Sequence, residues 1–378
     1  MKRLRDRRPE QRNGTPVAVA LILAASVAPC APAQDTGGWN VQSLRRTGHY
    51  LDAAGLTVRF SYLFEFAGRT HETPARPGEA GLADISLRWQ PRGNLGTFTA
   101  VYNAYSQTRE LPDADLQGVS NLAAPAFHRW REAYWERSLG SRIRVKAGKV
   151  DANSEFAVIE HGSDLSNASA GVSPTLFTMP SYPDGALSAN IFVSPLRDVG
   201  IAAGVYRSAG GGVYSVAEAG ARWTRKRAGR IAFGVWTQRA QQDAPGVSGS
   251  YAIFEQTLVR AAGGELNGFA RVSLADAALA PASLHNVFGL SWTGFGRRQT
   301  DSAGFAFLRL LPSLDGLILR AESVYEAYYK LPLRNYLEMK ADFQHVRLGG
   351  TAGAPSCFAV ASVRLLIHSS IGRKTEPR

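Results

Sequence analysis

The chain predicts an all-β fold, a transmembrane antiparallel β-barrel of about sixteen strands whose long third outer loop folds inward. Three observations carry this. Apolar and polar residues alternate with a period of two over most of the chain, the mark of strands whose two faces meet different surroundings. The connections between those segments alternate between short and long, as periplasmic turns and outer loops do. One polar stretch, residues 150–186, follows the fifth segment and is the longest connection of all, too long for a hairpin turn.

Taken in order, residues 1–33 have the build of an export signal. A basic start (Lys2, Arg3, Arg5, Arg7, Arg8, Arg12) precedes the apolar run Val17–Ala28, and Ala31-Pro32-Ala33 supplies a small-residue cleavage site. The run is short for a helical span of about 20 residues, and Pro29 before Cys30 disfavours a lipidated cysteine. Removing this segment takes away six basic and two acidic side chains, so the formal charge falls from +12 to +8. The Lys and Arg residues of the remainder are spread singly along alternating positions, which argues against nucleic-acid binding. Cys357 is then alone and cannot form an internal disulfide. Residues 34–57 read as a periplasmic lead, helical over 41–51, residues 58–367 as the barrel and residues 368–378 as a polar tail.

The strands are expected at 58–68, 82–90, 96–106, 129–139, 141–149, 187–194, 199–208, 218–225, 229–239, 249–260, 265–275, 284–293, 302–310, 320–331, 336–346 and 357–367. Val58, Phe60, Tyr62, Phe64 and Phe66 form one apolar face, with Arg59, Ser61 and Glu65 on the other. Likewise Tyr325, Ala327 and Tyr329 oppose Glu326 and Lys330, and Ala341 and Phe343 oppose Lys340, Asp342 and Gln344. Unpaired charge on the inner face of a packed soluble core is costly, whereas a wet lumen accepts it. The gap 294–301 is the exception to the alternation, being long where a turn is expected.

The run REAYWERSL, then RVKAGKVDANSEFA, then EHGSDLSNASAGVSPTL and MPSYPDGALSANIFVSP resembles the carbohydrate-selective porin (OprB) family, as does YEAYYKLPLRNYLEMKADFQHVRLGG near the end. The resemblance implies a sixteen-stranded outer-membrane channel through which sugars diffuse into the periplasm, narrowed by inward loops and charged side chains. It implies no cofactor. The partners it implies are small sugars, outer-membrane lipid and lipopolysaccharide, with the chain a monomer or a homotrimer.

A sugar pore needs weak, replaceable hydrogen bonds, and charged donors and acceptors beside an aromatic ring provide them. Strand phase places Glu132, Tyr134 and Glu136 on one strand and Arg144 and Lys146 on the next on a common face, with Arg88 from an earlier strand. Lys149, Asp151 and Glu155 sit at the base of the long loop, where acidic loop residues are expected to face the basic strand residues and set up a transverse field. The plainer alternative is structural: Asp151 and Glu155 cap a short helix, and Glu132 pairs with Arg144 to hold the wall. Glu160 and Asp164 are candidate oxygen ligands for a cation such as calcium. An enzyme is disfavoured: His161, Ser163 and Asp164 lack a G-x-S-x-G elbow, and Glu132 and Glu136 would lie about 13 Å apart on a strand, too far for a glycosidase pair. A general or anion-preferring porin, and a soluble carbohydrate-binding β-protein, remain the alternatives.

Overall fold

In the computed structural model of the chain, residues 51–372 are described, apart from 71–76, 113–114, 208–210, 225–226, 240–244, 262, 296–297, 314–320 and 349–356. The export signal, nearly all of the expected lead and the last part of the tail lie outside the described residues. Sixteen strands follow one another: β1 Leu56–Arg69, β2 Gly78–Trp89, β3 Thr97–Arg109, β4 Phe127–Leu139, β5 Ile143–Val150, β6 Ala186–Leu196, β7 Val199–Arg207, β8 Val213–Trp223, β9 Gly229–Arg239, β10 Val247–Ala261, β11 Gly264–Ala275, β12 Ala282–Phe295, β13 Arg298–Pro312, β14 Glu322–Arg334, β15 Leu337–Arg347 and β16 Cys357–Gly372. Each pairs antiparallel with its sequence neighbours, and β1 pairs β16 from Thr57↔Gly372 to Arg69↔Val360, so the sheet closes. Closure leaves no open edge, which is what lets a sheet sit in hydrocarbon.

The alternation decides the faces. Phe254, Phe288, Phe305, Tyr325 and Phe343 are all more than two-fifths exposed on the outside, as side chains directed at lipid must be in an isolated barrel. Trp89, Phe98 and Trp292 lie outward near the short-turn end of their strands, where aromatic girdles mark the interface of the bilayer. The inward face is polar, but it is not simply wet. Glu65, Arg271, Glu326 and Gln344 are essentially fully buried, covered by two loops that fold into the lumen, residues 115–126 and residues 151–185.

Three expectations change at the strand ends. β12 and β13 run to Phe295 and from Arg298, so the long gap expected at 294–301 is mostly strand, and the short-turn rhythm holds throughout. β16 continues past Ile367 to Gly372, and His368, Ser369, Ser370 and Ile371 pair with β1; the start of the expected tail is barrel wall. β8 begins at Val213, five residues before the expected start, because Tyr214 and Val216 pack inward against Trp236 and the long loop.

Candidate functional site

The loop 151–185 leaves β5 and is turned inward at once. Asp151 caps the one-turn helix Ala152–Ser154, its carboxylate accepting from Asn153 N at 2.9 Å. The turn ends at Ala157, where the backbone is left-handed with φ of 59°, and the chain is then held by long-range partners. Arg271 of β11, with no exposed surface, donates to the carbonyls of Ala157 (3.0 Å), Gly171 (2.9 Å) and Ser169 (2.6 Å). Glu326 of β14 accepts from the backbone N–H groups of Ser166 and Asn167. The backbone amide of His161 donates to Glu255 of β10 at 2.8 Å and that of Ala157 to Glu218 of β8 at 3.1 Å. Charge-assisted bonds to backbone groups are the strong ones, and here they replace the ladder that a loop lacks. The second loop is tied in the same way: Glu322 accepts from Leu116 and Gln117, and Glu65 accepts from Ser120 while pairing Arg364 at 3.1 Å.

At the loop base the predicted face assembles in part. Arg144 donates to Glu136 (2.7 Å) and through both terminal nitrogens to Glu155 (3.2 and 2.7 Å), while its guanidinium lies 3.5 Å over the ring of Phe192. Lys146 donates to Glu155 at 2.8 Å and sits 3.8 Å from the ring centre of Tyr134. Burial pushes the Glu155 carboxyl up, but hydrogen bonds and charge from Arg144 and Lys146 outweigh it and hold the group below its ordinary value. Glu132 faces the lumen as expected but takes other partners, accepting from Asp151 N at 3.1 Å and lying 3.4 Å from Arg131. The expected Glu132–Arg144 pair is thus replaced, because Glu136 stands closer to Arg144 across the hairpin.

Arg131 is the residue that strict alternation misplaces. The β3–β4 register slips between Val101 and Tyr102, opposite Trp130 and Glu132, so Arg131 is the extra residue of a β-bulge and turns inward beside Glu132. Its guanidinium meets Asp151 at 3.0 Å and Asp84 at 3.9 Å. Burial and the neighbouring Glu132 charge push the Asp151 carboxyl up; Arg131 opposes them without cancelling them.

The other expected residues resolve as follows. Lys149 falls on the outward phase of β5 with Ala147; it donates to the Trp130 carbonyl at 2.8 Å and pairs Asp184, so it pins the returning arm of the loop at the rim and does not line the lumen. Arg88 keeps the lumen phase of Asp84 and Ser86 on β2 but takes no part in the Arg144–Glu155 cluster. Glu155 closes the Ala152–Ser154 turn as its C-cap, its backbone N–H donating to the Ala152 carbonyl, while its carboxylate goes to the wall. Glu160 is taken by Arg222 and by Arg230 at 2.9 Å, which hold its carboxyl low, and Asp164 by Lys330 at 2.7 Å. Among the described residues there is no group of three acidic, His or Cys side chains able to hold a metal. The acidic loop residues therefore touch their cations directly; the field expected across an open gap is replaced by local ion pairs.

Two cavities flank the loop. One of about 410 Å³ is bordered by the Arg144–Phe192 stack and by Glu155, Glu160, Arg222 and Arg230. The other, about 700 Å³, lies between the two inward loops and the wall of β14–β16 and β1–β2.

A closed sixteen-stranded barrel, apolar outside, charged inside and narrowed by an inward third loop, defines an outer-membrane diffusion channel. Residues 92–243 and 211–354 match the carbohydrate-selective porin, OprB family, and the chain belongs to that family. It is a channel of the outer membrane and not an enzyme. Among solved structures, the high-pH structure of Pseudomonas putida OprB superposes with a TM-score of 0.75 at 15% identity, covering 85% of this chain and 96% of that one. Its low-pH structure gives 0.63 at 14%, covering 89% and 100%. OmpT of Vibrio cholerae, in a trimer form, gives 0.54 at 9%, covering 83% and 99%. No curated protein sequence matches the chain significantly.

Proposed function

We infer that the barrel admits small carbohydrates, monosaccharides in the first place, by passive selective diffusion into the periplasm, and that the loop base selects them. The observation that carries this is the Arg144 guanidinium stacked on Phe192 while bonded to Glu136 and Glu155, at the edge of a cavity of about 410 Å³. Glu132, Tyr134, Glu136, Arg144, Lys146 and Glu155 offer donors, acceptors and a ring in one place, and Arg131 and Asp151 brace them. Hydroxyls of a sugar can exchange with these bonds without a permanent loss, which a conducting site requires. The anion-preferring alternative is less well supported, because Arg144 and Lys146 are matched by Glu136 and Glu155.

Residues 1–33 are removed on export, and N-terminal mapping of the membrane-inserted protein checks the cut before Gln34. The outward face of β5–β8 carries small aliphatic side chains, such as Val145, Ala147, Ala189, Ala203 and Ala217, in contrast to the rings elsewhere. Three copies would associate along such a strip, and lipid with lipopolysaccharide covers the rest; cross-linking in the membrane separates trimer from monomer. For the function itself, conductance in planar bilayers is titrated with glucose. Concentration-dependent reduction of the current is expected, and its absence together with free anion permeation would refute the sugar assignment.

A further inference from the structure

Strand register puts three leucines side by side on the inner wall. Leu63 of β1 is paired directly with Leu82 of β2 on one side and with Leu366 of β16 on the other. All three have the inward phase, set by Glu65, Asp84 and Arg364 on the same strands. The rows on either side carry polar groups: Glu65 pairs across to Arg364, with Ala80 on its other side, and Ser61 pairs to Asp84 and His368. An unbroken apolar row on a lumen face runs against the apolar-out, polar-in pattern of such barrels. Leu63 and Leu82 pack in part on the buried cluster beneath the second loop, but Leu366 does not belong to that cluster. All three border the cavity of about 700 Å³ and are only half-buried. Val172, Phe177 and Tyr182 of the long loop face them across it.

The polar side of the same cavity has bonds to give but little charge to spare. Lys330 pairs Asp164 at 2.7 Å, Arg364 pairs Glu65 at 3.1 Å, and Lys340 donates to the Asp164 carbonyl at 2.5 Å. An anion entering there would meet cations already engaged, whereas hydroxyls can bond to the Lys330–Asp164 pair, which remains partly exposed. A chamber of about 700 Å³ that is more apolar than polar, with an apolar row on one wall and hydrogen-bonding groups around it, is the build of a small-molecule site.

We propose that this chamber is a second solute site, distinct from the Arg144 cluster, and that it takes neutral amphipathic glycosides, sugars bearing an aromatic or alkyl group, with the apolar group on the Leu82–Leu63–Leu366 row and the hydroxyls toward Lys330 and Asp164. This rests on the sugar-channel reading and narrows its substrate class. Bare sugars have only their ring faces to lay on the leucines; a phenyl glycoside has a whole ring.

The test uses the mature full-length protein in planar bilayers, with current block by phenyl β-D-glucopyranoside, methyl β-D-glucopyranoside and glucose. The phenyl glycoside is expected to half-block at a concentration about tenfold below the methyl glycoside, the scale expected from burying a small part of an aromatic ring. That ratio is expected to collapse towards one in Leu366→Asn and in Leu82→Asn. Leu366→Asn guards against misfolding, since that residue stands outside the buried cluster, and heat-modifiable migration verifies each barrel. Equal block by the two glycosides in the wild type, or a ratio unchanged in both folded variants, overturns the proposal while block by glucose keeps the channel reading intact. Failure of all three sugars to block overturns both.

Discussion

Replacing Glu155 with Gln tests the loop base most directly. Glu155 accepts one bond from Lys146 and two from Arg144, and its own side chain is 12% exposed, with Arg144 at 27% and Lys146 at 3%. Removing one partner of a fully buried ion pair costs about 3–5 kcal/mol. Arg144 keeps Glu136 and some water, and Lys146 keeps the Tyr134 ring, so Glu155→Gln is expected to cost about 2 kcal/mol of stability. It also changes the local balance from two cations against two carboxylates to two against one. The reversal potential in a KCl gradient should move toward that of chloride, and Glu155→Gln combined with Lys146→Met should bring it back. Acid should act in the same direction as the single variant. The folded-state value of Glu155 lies below its ordinary 4.5, so its contribution to stability is fully present above 4.5 and is lost as pH falls through the lowered value. An unmoved reversal potential in a correctly folded Glu155→Gln barrel would refute the view that this cluster borders the conducting path.

Further expectations follow from the same contacts. Arg271→Met removes the donor shared by three loop carbonyls; the loss of about 2 kcal/mol of local stability should raise amide exchange of residues 157–171 roughly thirtyfold while leaving the strands protected. Arg131→Met strands Asp151 and Glu132, which are 7% and 8% exposed, and should destabilise the barrel in urea titrations far more than Lys149→Met, whose rim pair with the 45% exposed Asp184 is worth about 0–1 kcal/mol. Phe305→Arg sets a charge on the outward face at the middle of β13 and should cost about 2–4 kcal/mol in reversible folding into vesicles; a neutral result would count against a lipid-facing wall.

Strand identity was legible wherever aromatic and charged residues alternate, as in β1, β14 and β15, because lipid and lumen impose opposite demands on successive side chains. It failed where the inner face is apolar: the start of β8 is missed because Tyr214 and Val216 face a buried loop and not water. Arg131 could not be placed by phase, since a bulge is a property of the paired strand as much as of its own. Two adjacent charges, Arg131-Glu132, are no signal by themselves, since Glu136-Arg137 repeats the pattern on the same strand with no slip in register. Glu136, Arg144, Lys146 and Glu155 were legible as a group because the hairpin is local. The partners of Glu160 and Asp164 were not. Arg222, Arg230 and Lys330 come from strands far along the chain, and nothing in the loop itself says which will arrive.

That distance bears on how the molecule comes to have an aperture at all. The loop is made after β5, and although β4 and β5 hold its two ends, the side chains that hold its middle inward belong to β8 through β15, with Ala157 waiting 61 positions for Glu218 and Asn167 waiting 177 for Gln344. Contacts so remote in sequence form only after the intervening chain has been ordered. Until those strands take their places, the middle of the segment has no seat. The narrow passage therefore depends on strands far along the chain from the loop, and wall and filter are tied to one another.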